Sequence, residues 1–164
     1  MTGSVLQINI SRGGVPKLPV PDCLLTPLGL EGDGHAHPEI HGGPNQALLL
    51  IGIETIEDLA ARGYPVYAGA LGENLTTRGL DRTQVRIGQQ LRIGPALIEI
   101  TRVRGPCTAL DVYGPSIKHE IYDRNVKDGD HTSPRWGMSG FYARVLVPGA
   151  LRTGDIISLV ATLA

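Results

Sequence analysis

Cysteine, aromatic residues and net charge are all scarce in this chain. Of its 164 residues two are cysteine, Cys23 and Cys107, and one each is tryptophan and phenylalanine. Two cysteines do not make a disulfide framework, and they fall short of the set that holds an iron–sulfur cluster. A net charge of −1 leaves no basic field for nucleic acid and no basic amphipathic run for an anionic membrane surface. No apolar run approaches the roughly 20 residues a membrane-crossing helix takes. The opening MTGSVLQINISRGGVPK lacks the charged segment and apolar stretch of a secretory signal. The expectation is a cytoplasmic protein, reduced, folded as one domain over residues 1–164, and large enough to bury a core without a metal or staple.

Glycine and proline are plentiful instead, at 22 and 12. That composition favours many turns and short elements over long helices. Val5–Ile10 alternates as a strand, and Lys17–Thr26, bounded and interrupted by prolines, reads as an edge or broken strand. Ala47–Ile51 is apolar throughout, fit for a strand buried on both faces. Glu54–Arg62 reads as a helix with Gly63 as its stop. Ala70–Thr77 is a tight turn entering a strand. Val85–Gly88, Gln90–Gly94, Leu97–Arg102, Phe141–Val147 and Ile156–Val160 read as further strands. Thr108–Asn125 reads as helix interrupted at Gly114-Pro115, and Lys127–Pro134 as a polar, mobile loop. Short strands between turns, with one or two helices, predict a mainly β, closed or nearly closed barrel with a few peripheral helices.

The chemistry concentrates at Arg102-Val103-Arg104-Gly105-Pro106-Cys107. Pro106 lacks an N–H and Gly105 permits unusual backbone angles, so a strand must end here and leave Cys107 on a turn. Neighbouring guanidinium charge favours a thiolate, the reactive and metal-ligating form. The bland alternative is an inert buried thiol, the reading preferred for Cys23. Arg102 and Arg104 share a face of an extended strand and could fork a phosphate or carboxylate, or simply be solvated. In His41-Gly42-Gly43 the glycines let backbone N–H groups approach an anion, with His41 as donor or proton shuttle, or the three form a plain turn. Asp33, His35, His37, Glu39 and His41 could ligate a metal or form a polar loop over the cleft mouth. Glu73-Asn74 fits a turn in which Asn74 takes a positive φ, or in which its side chain faces the cleft. Asp155 reads as turn chemistry. Arg135 and Trp136 read as a lid or a surface anchor.

These motifs, in order, resemble the MOSC family, named for the C-terminal domain of molybdenum cofactor sulfurases, in its stand-alone bacterial form. The resemblance rests on Gly29-Leu30-Glu31-Gly32-Asp33, His41-Gly42-Gly43, Gly72-Glu73-Asn74-Leu75, Val85–Gly88, Leu91–Gly94, Arg104–Cys107, Gly140–Leu146, Pro148-Gly149 and Gly154-Asp155. It implies a barrel-like core and a role in holding the molybdenum cofactor (molybdopterin) or carrying sulfur on a cysteine. Cys107 is then a persulfide carrier or a molybdenum ligand; His41, Gly42, Gly43, Asn74, Arg102 and Arg104 would bind the cofactor. Some members reduce N-hydroxylated bases and amidoximes. The partners implied are a cysteine desulfurase or other sulfur donor, and a molybdoenzyme acceptor or a flavin or iron–sulfur electron donor. Sulfurases carry a pyridoxal phosphate desulfurase domain ahead of this one; pyridoxal phosphate is not expected in this chain. A non-enzymatic ligand-binding module is the remaining alternative.

Overall fold

The computed structural model describes residues 1–34 and 42–160. Eleven strands and three short helices follow one another along them: β1 (Thr2–Ile10), β2 (Leu18–Val20), β3 (Asp22–Thr26), β4 (Gly29–Leu30), β5 (Leu48–Gly52), α1 (Ile53–Ala61), β6 (Leu75–Arg78), β7 (Gln90–Ile93), β8 (Ala96–Val103), α2 (Ile117–Ile121), α3 (Arg124–Lys127), β9 (Phe141–Val147), β10 (Gly149–Arg152) and β11 (Ile156–Leu159). The main sheet runs β11-β7-β8-β9-β5-β6-β1-β2, and β1 also pairs with β11, so seven strands close into a barrel. β10, β3 and β4 form a separate small sheet. The fold is mainly β, as its turn-rich composition predicts.

β5 explains why the site lies where it does. It pairs parallel with β6 and antiparallel with β9, so it has neighbours on both edges. Alternate side chains then serve two different cores. Leu48 and Leu50 point into the barrel lumen, with Val5, Ile8, Leu75, Leu91, Ile98 and others. Leu49 and Ile51 face outward, onto Ile56 and Leu59 of α1 and onto Leu71, Leu110, Ile117 and Tyr142. A fully buried aliphatic side chain is worth roughly 1.5–3 kcal/mol, so β5 stabilises both layers at once. The lumen is therefore filled with side chains, and the cavity described below lies on the outer wall. α1 is the crossover between the parallel strands β5 and β6, and Gly63 ends its final turn at φ 99°.

Four expectations change. Val85–Gly88 is not a strand. Val85 is buried and its carbonyl accepts the Trp136 indole N–H at 2.9 Å, while Gly88 N–H donates to Ile100 O at 2.8 Å; an irregular turn results. Residues 127–134, expected to be mobile, are tied down by two aspartates. Asp123 accepts from Val126 N–H (2.8 Å) and Ser133 hydroxyl (3.1 Å), and Asp130 from Thr132 N–H (2.9 Å). The helix expected over 108–125 is a 3-10 turn at Thr108–Tyr113, then α2 after Gly114-Pro115, with α3 beginning at Arg124. Trp136 is 3 % exposed and packs edge-on to Phe141, so it is core, neither lid nor surface anchor. No helix among the described residues is long and apolar enough to cross a membrane.

Candidate functional site

An open cavity of about 130 Å³ lies against the outer wall of the barrel where β5 and β9 meet the turns flanking them. Leu49 and Tyr142 form its floor. Val15 and Lys17 come from the connection after β1, Gly42 and Gln46 from the approach to β5, Gly72 and Asn74 from the turn into β6, and Arg104, Cys107 and Ala109 from the segment after β8.

Arg104 is held in the wall from both sides of its backbone. Its N–H donates to Gly140 O at 2.9 Å and its carbonyl accepts from Ser139 hydroxyl at 2.6 Å. The side chain is 4 % exposed, and its Nη1 has no hydrogen-bond partner among the described residues. A buried guanidinium nitrogen without an acceptor carries a desolvation cost that a ligand oxygen relieves. Gly72 adjoins it at φ 84°, and a Cβ there would come within 3.8 Å of Arg104 Nη2 and 3.1 Å of Val15 Cγ1. The glycine therefore keeps open a space beside the guanidinium. Gly72, not Asn74, takes the positive φ that this turn needs; no described non-glycine residue does.

Asn74 is doubly engaged. Its Oδ1 accepts from Leu49 N–H at 3.0 Å, joining β5 to the β6 turn, and its Nδ2 donates to Asp33 Oδ2 at 2.8 Å. Asp33 Oδ1 accepts from Ser11 N–H (3.0 Å) and from Lys17 Nζ (2.7 Å). The Lys17–Asp33 pair is nearly dry, at 9 % and 4 % side-chain exposure, and Lys17 brings a second cation to the cavity wall.

Cys107 is a free thiol at the turn following Pro106, half-buried in the same cavity lining. Tyr142 lies close by. Burial pushes its phenol up, against the pull of Arg104 and Arg102, and it shares a side-chain hydrogen bond with Arg104. Arg102 is exposed, stacked on the outer side of the Tyr142 ring at 5.3 Å.

Cys107, Arg104, Asn74 and Gly42 thus meet in one cavity. Arg102 lies outside it, on a shallow groove with Asn45, Gln46, Glu99 and Arg144, and Gly43 is exposed beside Gly42. His41 lies outside the described residues, as do His35, His37 and Glu39 of the candidate metal cluster. The fifth member, Asp33, is engaged by Lys17, and no metal-ligating cluster occurs among the described residues. Asp155 caps a turn, accepting from Arg152 N–H at 2.8 Å. Cys23 is half-buried against the barrel core, with burial pushing its thiol up.

Lys17 and Tyr142 line the site without having drawn notice in the sequence. For Lys17 the signal was a lone cation in a proline-bounded apolar stretch; for Tyr142 it was the polar tip in an otherwise alternating strand.

The model of the MOSC domain matches residues 37–158. Protein YiiM of Escherichia coli (strain K12) is 33 % identical over 145 residues, covering 85 % of this chain and 60 % of that protein. The chain therefore spans under two thirds of YiiM's length. The crystal structure of that YiiM superposes with a TM-score of 0.72 over the whole chain and 72 % of its own, at 27 % identity. YflK of Bacillus subtilis (strain 168) is 31 % identical over 174 residues, 96 % of this chain and 73 % of that protein. A protein named "Reductase" from Gibberella moniliformis is 32 % identical over 136 residues, 80 % of this chain but 22 % of that protein.

Proposed function

This chain belongs to the MOSC domain family, and on that premise we propose that its cavity holds a pterin-type molybdenum cofactor, with Cys107 as thiolate ligand or as carrier of a sulfur atom. The family is associated with molybdenum-cofactor binding. The observation that carries the reading is Arg104, a buried guanidinium with an unpartnered nitrogen, lining the same cavity as a free cysteine.

The residues fit such a group. Arg104 and Lys17 would meet its anionic phosphate, and a guanidinium can do so through paired N–H donors. Gly72 leaves space at the guanidinium, and Gly42 and Gly34 line the same cavity. Val15 and Leu49 give the cavity apolar walls, beside which charge interactions are stronger than in open water. Cys107 offers the soft sulfur that molybdenum takes. A bound molybdenum centre supplies two-electron chemistry of the kind that removes oxygen from an N-hydroxylated compound.

As sulfur carrier, the Cys107 thiolate attacks the outer sulfur of a donor persulfide. A new S–S bond forms as the donor's breaks, and the donor departs as a thiolate. A cysteine desulfurase is the natural donor, and a molybdoenzyme the natural acceptor. The second reading, reduction of N-hydroxylated compounds, is favoured by the relative named "Reductase". It consumes two electrons and two protons and releases water, with electrons from a flavin or iron–sulfur donor.

Purification from cells supplied with molybdate tests the main reading. We expect molybdenum and pterin in equal amounts in the wild type and neither in Arg104→Ala. Wild-type protein that holds neither, even when offered cofactor, overturns it. After incubation with a cysteine desulfurase and cysteine, mass spectrometry should find one added sulfur on Cys107. Turnover of an N-hydroxy base with an added flavin reductase selects the second reading. If Cys107→Ala leaves sulfur loading, cofactor content and reduction unchanged, a non-enzymatic ligand-binding module remains.

A further inference from the structure

Behind the cavity wall lies a carboxylate that the reading above leaves unused. Glu73 is 0 % exposed. Its Oε2 accepts from Gly69 N–H at 3.2 Å and Thr76 hydroxyl at 3.0 Å, while Oε1 has no partner among the described residues. Gly72, the residue before Glu73, lies beside the guanidinium, where a Cβ would stand 3.8 Å from Arg104 Nη2, and Arg104 Nη1 is also without a partner among the described residues. Two buried side chains of opposite charge therefore flank the Gly72 turn, each with one polar atom unanswered.

The other groups packed around Glu73 are neutral. From β1, Asn9 Nδ2 donates to Glu73 O at 3.1 Å and to Thr76 Oγ1 at 3.0 Å, with Gln7 donating to Asn9 Oδ1 behind it. From the turn after Cys107, the Tyr113 hydroxyl donates to Ala70 O at 2.6 Å; burial first and Glu73 among lesser causes push that phenol up to about 12, so it is neutral too. The next charges out are Lys17 and Asp33, which answer each other beyond Asn74. Arg104 is thus the charge most directly coupled to Glu73.

We propose that Glu73 is a positioning residue for the cavity: it takes a proton from solvent when an oxyanion docks on Arg104, and the neutral carboxyl leaves the guanidinium's charge to the ligand. This rests on the reading that the cavity takes an anion. With Glu73 ionised, the guanidinium is answered from behind. With Glu73 neutral, its charge faces the cavity. Burial already pushes Glu73 up to about 7, so the proton moves within the neutral range. A docked anion repels the carboxylate and raises it further. Anion affinity therefore rises as pH falls through neutrality.

Sulfate is the probe, because its charge is constant over this range. We expect wild-type affinity for sulfate to rise about fivefold from about pH 8 to about pH 6, within the roughly tenfold limit that a coupling of one pKa unit sets. Glu73→Gln should bind with the tighter affinity throughout. Calorimetry in buffers of different ionisation heat should show proton uptake on binding near neutrality in the wild type and none in the variant. An unchanged pH slope in Glu73→Gln, or no proton uptake in the wild type, overturns the proposal. Sulfate that fails to bind at any pH, or binds equally to Arg104→Ala, overturns the anion reading itself, and the proposal with it. Should Glu73→Gln not fold, infrared difference spectra of wild-type protein carrying 13C-labelled glutamate decide. A sulfate-induced gain of protonated carboxyl supports the proposal, and its absence overturns it.

Discussion

Arg104 and Arg102 stand two residues apart and both reach Tyr142, yet they occupy different surroundings. Arg104 is sealed in the inner wall with an unanswered nitrogen; Arg102 lies on the outer ring face in solvent. In the inner wall each charge needs a partner, because water cannot serve as one. In the outer groove water serves for all. The same side chain is thus a site element in one place and a solvated surface group in the other.

The inner wall should break first at Lys17. Lys17→Ala leaves Asp33 buried without its cation and should cost about 3–5 kcal/mol of stability, read by urea denaturation. Adding Asp33→Asn should recover part of that. If the single change costs no more than a surface substitution, the pair is wetter than its 9 % and 4 % exposure implies.

Glu73 should give the next largest effect, as a pH slope. Its carboxyl moves from 4.5 to about 7 on folding, so the folded state keeps a proton that the unfolded state has lost. Stability is full below the unfolded value and falls as pH rises through the window, by about 3 kcal/mol in all, at about 1.4 kcal/mol per unit. Glu73→Gln should flatten the curve between those limits, as followed by denaturant midpoints.

For ligand binding, Arg104→Ala should lose about 1.5–3 kcal/mol of anion affinity, the worth of a hydrogen bond to a charged group, measured with sulfate. Arg102→Ala should change that affinity little and stability by about 0.5–1 kcal/mol, the value of an exposed cation–π contact. Equal losses of affinity at the two arginines would erase the distinction between wall and groove.

Much of this was legible because it is local. β9 matches its alternating stretch residue for residue, and β5 and α1 begin within one residue of their expected starts. The Gly-Pro turn places Cys107 where the strand must end. Val85–Gly88 misled because a short alternation bounded by glycine reads as a strand, whereas Val85 serves as an anchor for Trp136. The depth of Arg104 could not be read either: it depends on Ser139 and Gly140, distant in sequence, holding its backbone. Lys17 and Glu73 were missed for the same reason. A charged residue in a turn looks solvated until the fold buries it.

The seam that closes the barrel also sets how the molecule responds to force. Thr2 of β1 pairs with Ser158 of β11, so the two ends of the described barrel emerge side by side at one pole. Tension applied there loads the β1–β11 hydrogen bonds one after another, as in opening a zipper, rather than together in shear. Once the seam opens, β11 is held by three pairs to β7, whereas β1 keeps its pairs to both β6 and β2, so gentle pulling at the ends should strip β11 first and leave the strand that leads into Lys17 and the cavity wall in place.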